Sequence, residues 1–387
     1  GKNTWGPMAR RVQNTEIEVF PEADCLDGFA HPRGAKMVFG HDGAQRALAD
    51  AFYSGCMHHA WMFCGPAGVG KATMAYRFAR AVLAHDQSGL DFGADNRDAH
   101  ALAAGDEVTT GQIAALSHPR LLVIRRPYDL KGKRFSASIP VDEVRRLRSF
   151  LVTRVEGWRL VIVDSADELN INAANALLKS LEEPPEQTVF ILISANPGRL
   201  LPTIRSRCRQ LDFSPLDASD LTRAVSQALV AAGSEPLAAE RSDALCELGK
   251  GSVRRALMLE ALEGEALADD VAKVFAKLPR VDWEHGHKLA EALGPIAALE
   301  RFELFFDFVS DRVRQTARRA ASQQMSTSAG TADTGGGARQ PGQDGAKWAE
   351  AFAAIETAKS DTLALNLDRK ALIIETLGKL AQAASAR

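Results

Sequence analysis

A glycine-rich segment is the part of this sequence best suited to chemistry. The run Gly65–Lys71 has the frame G-x-x-x-x-G-K and follows a short apolar stretch, residues 61–64. Between a strand and a helix, this frame forms a phosphate-binding loop (P-loop), because its glycines let backbone N–H groups approach phosphate oxygens and its lysine adds a positive charge. The predicted nucleotide ligands here are Gly65, Gly68, Gly70, Lys71 and the next two residues, Ala72 and Thr73.

The two residues after the lysine bear on metal binding. A P-loop usually has Ser or Thr directly after its lysine, and that hydroxyl binds Mg²⁺. Ala72 stands at this position and has no hydroxyl, while Thr73 lies about 100° further round the helix. We therefore expect ATP or ADP to bind weakly, and the sequence weakens the case for Mg²⁺.

Polar residues follow two predicted buried strands. Asp164 comes directly after the apolar run 160–163, and Ser194 and Asn196 follow the run 189–193. A helix with apolar residues at three- and four-residue spacing separates the two runs, so they form a right-handed parallel strand-helix-strand unit. Both strands then end at the same edge of the sheet, where ligands gather. We predict that Asp164, Ser194 and Asn196 belong to the nucleotide site.

Three arginines come soon after the second strand, namely Arg205, Arg207 and Arg209. Small or apolar residues separate them. Because the segment 201–209 directly follows the strand end, we expect these side chains to lie just beyond the edge that carries Asp164. Three arginines at this position indicate contact with a ligand rather than an ordinary solvent-exposed role.

The composition is that of an ordinary globular protein. The 387 residues include 46% hydrophobic and 25% charged residues, and the formal net charge is −2. This balance argues against a surface coated in positive charge, although a local basic patch is compatible with it. No apolar run approaches the ~20 residues of a membrane span, and the first 20 residues are polar. We expect a cytoplasmic protein without a membrane partner, whose natural start could be Met8.

The cysteines do not form a recognisable framework. Their number is odd and no C-x-x-C pair occurs, which argues against disulfides and against a four-thiolate zinc site. No cysteine lies between residues 86 and 122, so we predict no zinc module there. The five cysteines are Cys25, Cys56, Cys64, Cys208 and Cys246.

The pattern of strands and helices predicts several domains. Residues 38–214 alternate between strands and helices and are predicted to form an α/β domain with a parallel sheet. Only helical patterns follow, which we divide into a lid, 215–265, and a collar, 266–387. Residues 1–37 are an N-terminal extension. The segment 322–346 is rich in Gly, Ser, Thr, Ala and Gln and predicts a flexible loop.

Three motifs together resemble a known family. They are the P-loop, the run 172–185 with the sequence NAANALLKSLEEPP, and Ser206-Arg207-Cys208. In combination they are similar to the AAA+ subunits of bacterial clamp loaders, the family that serves DNA polymerase III. The resemblance covers most of residues 38–262. It implies an AAA+ P-loop α/β domain followed by an α-helical lid and an α-helical collar.

The resemblance also assigns roles to residues. By similarity, Ser194 or Asn196 senses the terminal phosphate, Arg254 is the arginine contributed by the lid, and Arg207 is the finger that reaches the ATP of a neighbouring subunit. Related motor subunits carry a catalytic glutamate after the strand-end aspartate, where this chain has Ser165. A serine cannot act as that base at neutral pH. The family therefore implies a non-motor subunit of a clamp loader.

The partners implied by the family are other clamp-loader subunits, held through the collar, the sliding clamp, and primed DNA. Two other interpretations stay open at this point. Lys71 and Asp164 also suit an ATP-hydrolysing motor subunit of the same machine. Alternatively, the chain is an AAA+ relic used only for protein contacts, with Arg207 as a surface arginine.

Overall fold

The computed structural model describes most of the chain. It covers residues 21–88, 106–131, 134–153, 155–237, 239–328, 345–365 and 367–385, except positions 24, 27 and 36. Most of the predicted N-terminal extension, residues 1–20, lies outside these residues, and so does 329–344 within the predicted loop.

A parallel five-stranded sheet forms the first part of the fold. Its strands are β1 (Ala60–Cys64), β2 (Leu121–Ile124), β5 (Arg159–Val163), β6 (Thr188–Ser194) and β7 (Arg209–Asp212). Their order across the sheet is β2-β5-β6-β1-β7, and every neighbouring pair is parallel. A small antiparallel pair, β3 (Tyr128–Asp129) and β4 (Arg134–Phe135), follows β2. The predicted α/β class with a parallel sheet is confirmed.

Helices cover both faces of the sheet. They are α1 (Asp42–Tyr53), α2 (Lys71–Ser88), α3 (Glu107–Ala114), α4 (Val141–Val152), α5 (Ile171–Glu182) and the short α6 (Pro202–Arg205). Alternate residues of β5 face opposite sides, as a strand requires. Leu160 and Ile162 join the core with α1 and α2, whereas Val161 and Val163 join the core with α4 and α5. Buried strands of this kind read as continuous apolar runs.

Helices alone make up the described chain after β7. They are α7 (Ala218–Ala231), α8 (Ala239–Gly249), α9 (Val253–Ala261), α10 (Gly264–Lys277), α11 (Trp283–Leu293), α12 (Leu299–Ser328), α13 (Gly345–Leu365) and α14 (Arg369–Ala384). We refer to α7–α9 as the lid helices. One apolar core, centred on the fully buried Phe302, Phe305 and Phe306, extends from α7 to α14.

Helix covers both ends of the segment predicted as a loop, 322–346. Helix α12 continues through Ser328 and α13 begins at Gly345. Adding a residue to an existing helix is far easier than starting one, so a long packed helix extends into a sequence that would not nucleate helix alone. Among the described helices, none combines the length and hydropathy needed to cross a membrane.

Candidate nucleotide site

The P-loop lies at the carboxyl end of β1 and leads into α2. Gly65, Gly68 and Gly70 have φ values of 151°, 76° and 107°, which residues with a side chain rarely adopt. A Cβ added at Gly65 would collide with the carbonyl oxygen of Phe213, just after β7. Gly65 is therefore needed for the close approach of two backbone segments, as well as for the loop conformation.

Lys71 is turned onto its own loop. Its Nζ donates to the carbonyl oxygens of Gly65, at 2.6 Å, and Pro66, at 2.5 Å, and the side chain is buried. Burial lowers the pKa of Lys71 to about 8, although the charges of Asp164 and Asp167 oppose that shift. The lysine that would bind a phosphate is therefore hydrogen-bonded to two carbonyl oxygens of its own loop and lies near two carboxylates.

The lid helices contact the next two carbonyls of the loop. Ser252, the N-cap of α9, donates its hydroxyl to the carbonyl oxygen of Ala67 at 2.9 Å. The backbone N–H of Val253 donates to the carbonyl oxygen of Gly68, also at 2.9 Å. A Cβ on Gly68 would collide with Ser252 and lie 2.6 Å from Cβ of Arg254. The first turn of α9 therefore rests directly on the P-loop.

His41 closes the loop from the other side. Its Nε2 lies 2.8 Å from the carbonyl oxygen of Val69, and this nitrogen must be the donor because a carbonyl only accepts. The imidazole packs on the ring of Phe213, with centroids 4.8 Å apart. Burial lowers the pKa of His41, which favours a neutral ring. Each carbonyl oxygen from Gly65 to Val69 thus has a donor from this chain.

Two aspartates at the end of β5, which is separated from β1 by β6, act electrostatically on Lys71. Asp164 is 8% exposed, and its backbone N–H bonds to the carbonyl oxygen of Ile124. Ser165, next in the chain, is left-handed with φ 57°. Asp167 accepts from the backbone N–H of Ala195 at 3.2 Å. Asp167 therefore links the ends of β5 and β6 beside Lys71. The sequence analysis gave it no role, although a carboxylate in the turn after such a strand was a signal.

The remaining predicted ligands differ in burial and in whether they offer a polar group. Ser194 ends β6 opposite Cys64, and its buried hydroxyl has no hydrogen-bond partner among the described residues. Asn196 is exposed. Ala72 packs its methyl group against the core beside α2, so it supplies no oxygen, and Thr73 is partly exposed.

Arg207 lies near the amino ends of the strands, whereas the P-loop lies at their carboxyl ends. The prediction that Arg207 lies just beyond the carboxyl ends, near Asp164, is therefore wrong. Nη2 of Arg207 is 2.8 Å from Oε1 of Glu182, and its Nη1 donates to the carbonyl oxygen of Thr203 at 2.9 Å. Glu182 is the last residue of α5, which begins near the carboxyl edge and ends near the amino edge. The chain after β6 must return to that amino edge, because β7 runs parallel to β1.

Arg209 shows the same placement. It pairs with Trp61 near the start of β1, and its guanidinium lies 4.9 Å from the centroid of that ring. Arg205 is exposed at the end of α6. Arg207 and Arg209 therefore belong to a second surface, away from the P-loop, whereas Arg205 lies close enough to Cys64, at the end of β1, to act on its thiol electrostatically.

The α/β region is similar in sequence to known proteins. Residues 40–217 match the family model described as DNA polymerase III, delta subunit. The DNA polymerase III subunit delta' of Pseudomonas aeruginosa is 36% identical over 213 residues, which are 51% of this chain and 60% of that protein. The α/β region of this chain is therefore similar to the DNA polymerase III delta-subunit family.

Further relatives extend the comparison. The subunit delta' of Escherichia coli is 32% identical over 170 residues, which cover 43% of this chain and 46% of that protein. The chain thus spans about half the length of the delta' relatives it matches. A DNA polymerase III gamma subunit-related protein of Thermotoga maritima superposes with a TM-score of 0.38 at 16% identity, covering 88% of this chain and 99% of that one.

The matched residues 40–217 contain the sheet, the P-loop and Arg207, whereas Arg254 and Ser252 lie beyond residue 217. Sequence reasoning found the first group because each motif is local. It assigned no role to His41 or Ser252, whose contacts with the loop join distant parts of the chain. A serine at a helix start signals a cap, but nothing in the sequence shows that the cap meets the P-loop.

Proposed function

We propose that this protein is a delta-prime-type subunit of the clamp loader of a bacterial DNA polymerase III. In this role it helps to load the sliding clamp onto primed DNA as part of a hetero-oligomer. The observation that carries the proposal is the match of residues 40–217 to the delta-subunit family, with relatives named delta'. The collar, residues 266–387, is the part we assign to contact with the other subunits.

Arg207 is the residue through which we propose that the subunit acts on a neighbour. Helix α5 has 12 residues, so it separates the two edges of the sheet by about 18 Å. Arg207, near its end, is out of reach of the chain's own P-loop but is 35% exposed and available to another subunit. Its planar fork and fixed charge suit the γ-phosphate of a neighbour's ATP, where charge gathers during transfer.

We propose that the chain's own nucleotide site does not hydrolyse ATP. Ser165 stands where related motor subunits have a glutamate, and Ala72 cannot offer a hydroxyl to Mg²⁺. ATP or ADP would bind weakly, through Lys71 and the loop N–H groups, after Lys71 leaves the carbonyl oxygens of Gly65 and Pro66. Ser194, Asn196 and Arg254 are the residues we assign to the terminal phosphate.

A second candidate function is an ATP-hydrolysing subunit of the same assembly. The specific observation in its favour is Asp167, which lies beside Lys71 and near the strand-end Asp164. Its carboxylate is held by the backbone N–H of Ala195, however, and that contact keeps it oriented toward β6. We favour the non-motor function because no second carboxylate follows Asp164 directly.

Reconstitution tests the proposal. The full chain is mixed with the tau/gamma-type and delta-type subunits of the same organism and separated by size-exclusion chromatography with light scattering. We expect one stoichiometric hetero-oligomer, whose rate of clamp loading on primed DNA falls sharply when this chain is omitted. Elution of the chain alone, or full loading without it, would contradict the proposed function.

A further inference from the structure

A segment ahead of the α/β region connects it with the lid helices. We call the described residues between positions 21 and 35, which exclude 24 and 27, the strap. The C-terminal end of the strap is fixed to the α/β region. Arg80 of α2 donates to the carbonyl oxygens of Arg33 and Ala35, each at 2.7 Å. Arg33 itself donates from Nε to the carbonyl oxygen of Ala114 at 2.6 Å. Arg80 is buried, so these bonds are shielded from water.

The N-terminal end of the strap, at Glu22, is also fixed to the α/β region. Glu22 accepts from Nη2 of Arg33 at 2.8 Å and from Nη1 of Arg125 at 2.6 Å, and Nε2 of His31 lies 3.1 Å from its carboxylate. Burial disfavours the charged carboxylate, but the bonds from Arg33 and Arg125 outweigh it and lower the pKa of Glu22 to about 2. Both ends of the strap are therefore anchored beside β2 and α2.

The tip of the strap lies in the helical part of the protein. Leu26 is 6% exposed and belongs to the core formed by α7–α14, and Phe29 packs against that core. Gly28 and Phe29 line a cavity together with Leu229 of α7 and Glu260 of α9. The strap thus starts on the α/β region, inserts its tip among the lid helices, and returns.

We propose that the strap fastens the lid helices onto the P-loop and thereby keeps the isolated subunit closed to nucleotide. The lid meets the loop directly through three neighbouring residues at the start of α9, Ser252, Val253 and Arg254, which contact Ala67 and Gly68. The strap adds a buried apolar anchor on the lid and an ionic anchor on the α/β region. Its release would let α9 leave Gly68 and let Lys71 turn toward phosphate.

The test uses the isolated full chain and does not depend on the clamp-loader proposal. The tip variant Leu26→Ser/Phe29→Ser removes the apolar anchor and leaves the ionic one. Met37→Ser is the matched control, because Met37 is an apolar residue just beyond the strap but 50% exposed. Affinity is measured with a fluorescent ADP analogue, and protection of the Val253 amide by hydrogen exchange.

We expect the tip variant to bind the ADP analogue at least tenfold more tightly and to exchange the Val253 amide at least tenfold faster, with Met37→Ser unchanged in both. A folded tip variant with unchanged affinity and exchange would overturn the proposal. If the tip variant does not fold, the same two measurements are made on Glu22→Gln, which weakens the ionic anchor. Failure of both variants to fold would also overturn the proposal, because the strap would then be core rather than a separable fastener.

Discussion

Nζ of Lys71 lies 2.6 Å from the carbonyl oxygen of Gly65, within the same loop. A lysine bonded in this way is part of the loop's own structure. A phosphate would have to replace two carbonyl oxygens as its partner. The glycines and lysine of the P-loop therefore do not by themselves make a nucleotide site that is ready to bind.

The first prediction concerns stability at high pH. The pKa of Lys71 falls from 10.5 to about 8 on folding, so between these values the unfolded chain binds more protons than the folded chain. Folding stability attributable to Lys71 therefore rises as pH increases from 8 to 10.5, by up to about 1.4 kcal/mol per pH unit. Urea unfolding of wild type and Lys71→Met across this window measures the difference. Parallel stability curves would contradict the prediction.

ATP hydrolysis gives the second prediction. The isolated chain should show negligible turnover with Mg²⁺, because Ser165 cannot act as a base and Ala72 cannot bind the metal. Steady-state phosphate release is compared between wild type and Lys71→Ala, which reveals any contaminating ATPase. Turnover that persists in wild type and disappears in Lys71→Ala would favour the motor-subunit alternative.

A third prediction concerns Gly68 and the lid. Gly68→Ala places a Cβ against Ser252 and Arg254 at a residue with φ 76°. The strained backbone and the displaced lid should together lower the free energy of unfolding by about 1–3 kcal/mol. Gly198→Ala is the control, because nothing lies within 4 Å of its added Cβ and its φ is ordinary. Equal urea midpoints for the two variants would show that the lid does not rest on the loop.

Local features of this fold were predictable from the sequence. The apolar run at β5 indicated a buried strand. Asn170, a residue type that favours helix N-caps, caps α5 by accepting from the backbone N–H of Ala173 at 2.8 Å. The P-loop lies between the predicted strand and helix. In each case the signal is contained in a few neighbouring residues, which is why periodicity and capping detect it.

Contacts between distant residues were not predictable in this way. Ser252 and Ala67 are separated by 185 residues, and no pattern in either segment points to the other. Arg207 was expected at the carboxyl edge because it follows β6 in sequence. Recognising β7 as a parallel strand would have placed it correctly, since a parallel neighbour must start at the amino edge.

Zinc content provides the fourth prediction. Cysteine binds zinc as the thiolate, and burial raises the pKa of Cys64 to about 11 and that of Cys208 to about 12, which disfavours that form. No cluster of His, Cys, Asp or Glu able to hold a metal occurs within the described part of the chain. Protein washed with a chelator should therefore contain far less than one zinc per chain by elemental analysis. Stoichiometric zinc that survives the wash would refute this expectation.

The last prediction concerns Arg207 in the assembled complex. Arg207→Ala should leave folding and assembly nearly unchanged, because the side chain is partly exposed and an exposed ion pair with Glu182 contributes only about 0–1 kcal/mol. An arginine finger contributes about 10³–10⁵ in turnover in related phosphoryl-transfer systems, so the clamp-loading rate should fall at least about tenfold. Arg205→Ala, which removes another exposed arginine from the same segment, is the matched control and should retain the rate. Pre-steady-state clamp loading with equal amounts of each complex measures both variants. If the Arg207→Ala complex kept the wild-type rate and ATPase, the role in trans would be wrong and the interaction-only interpretation would replace it.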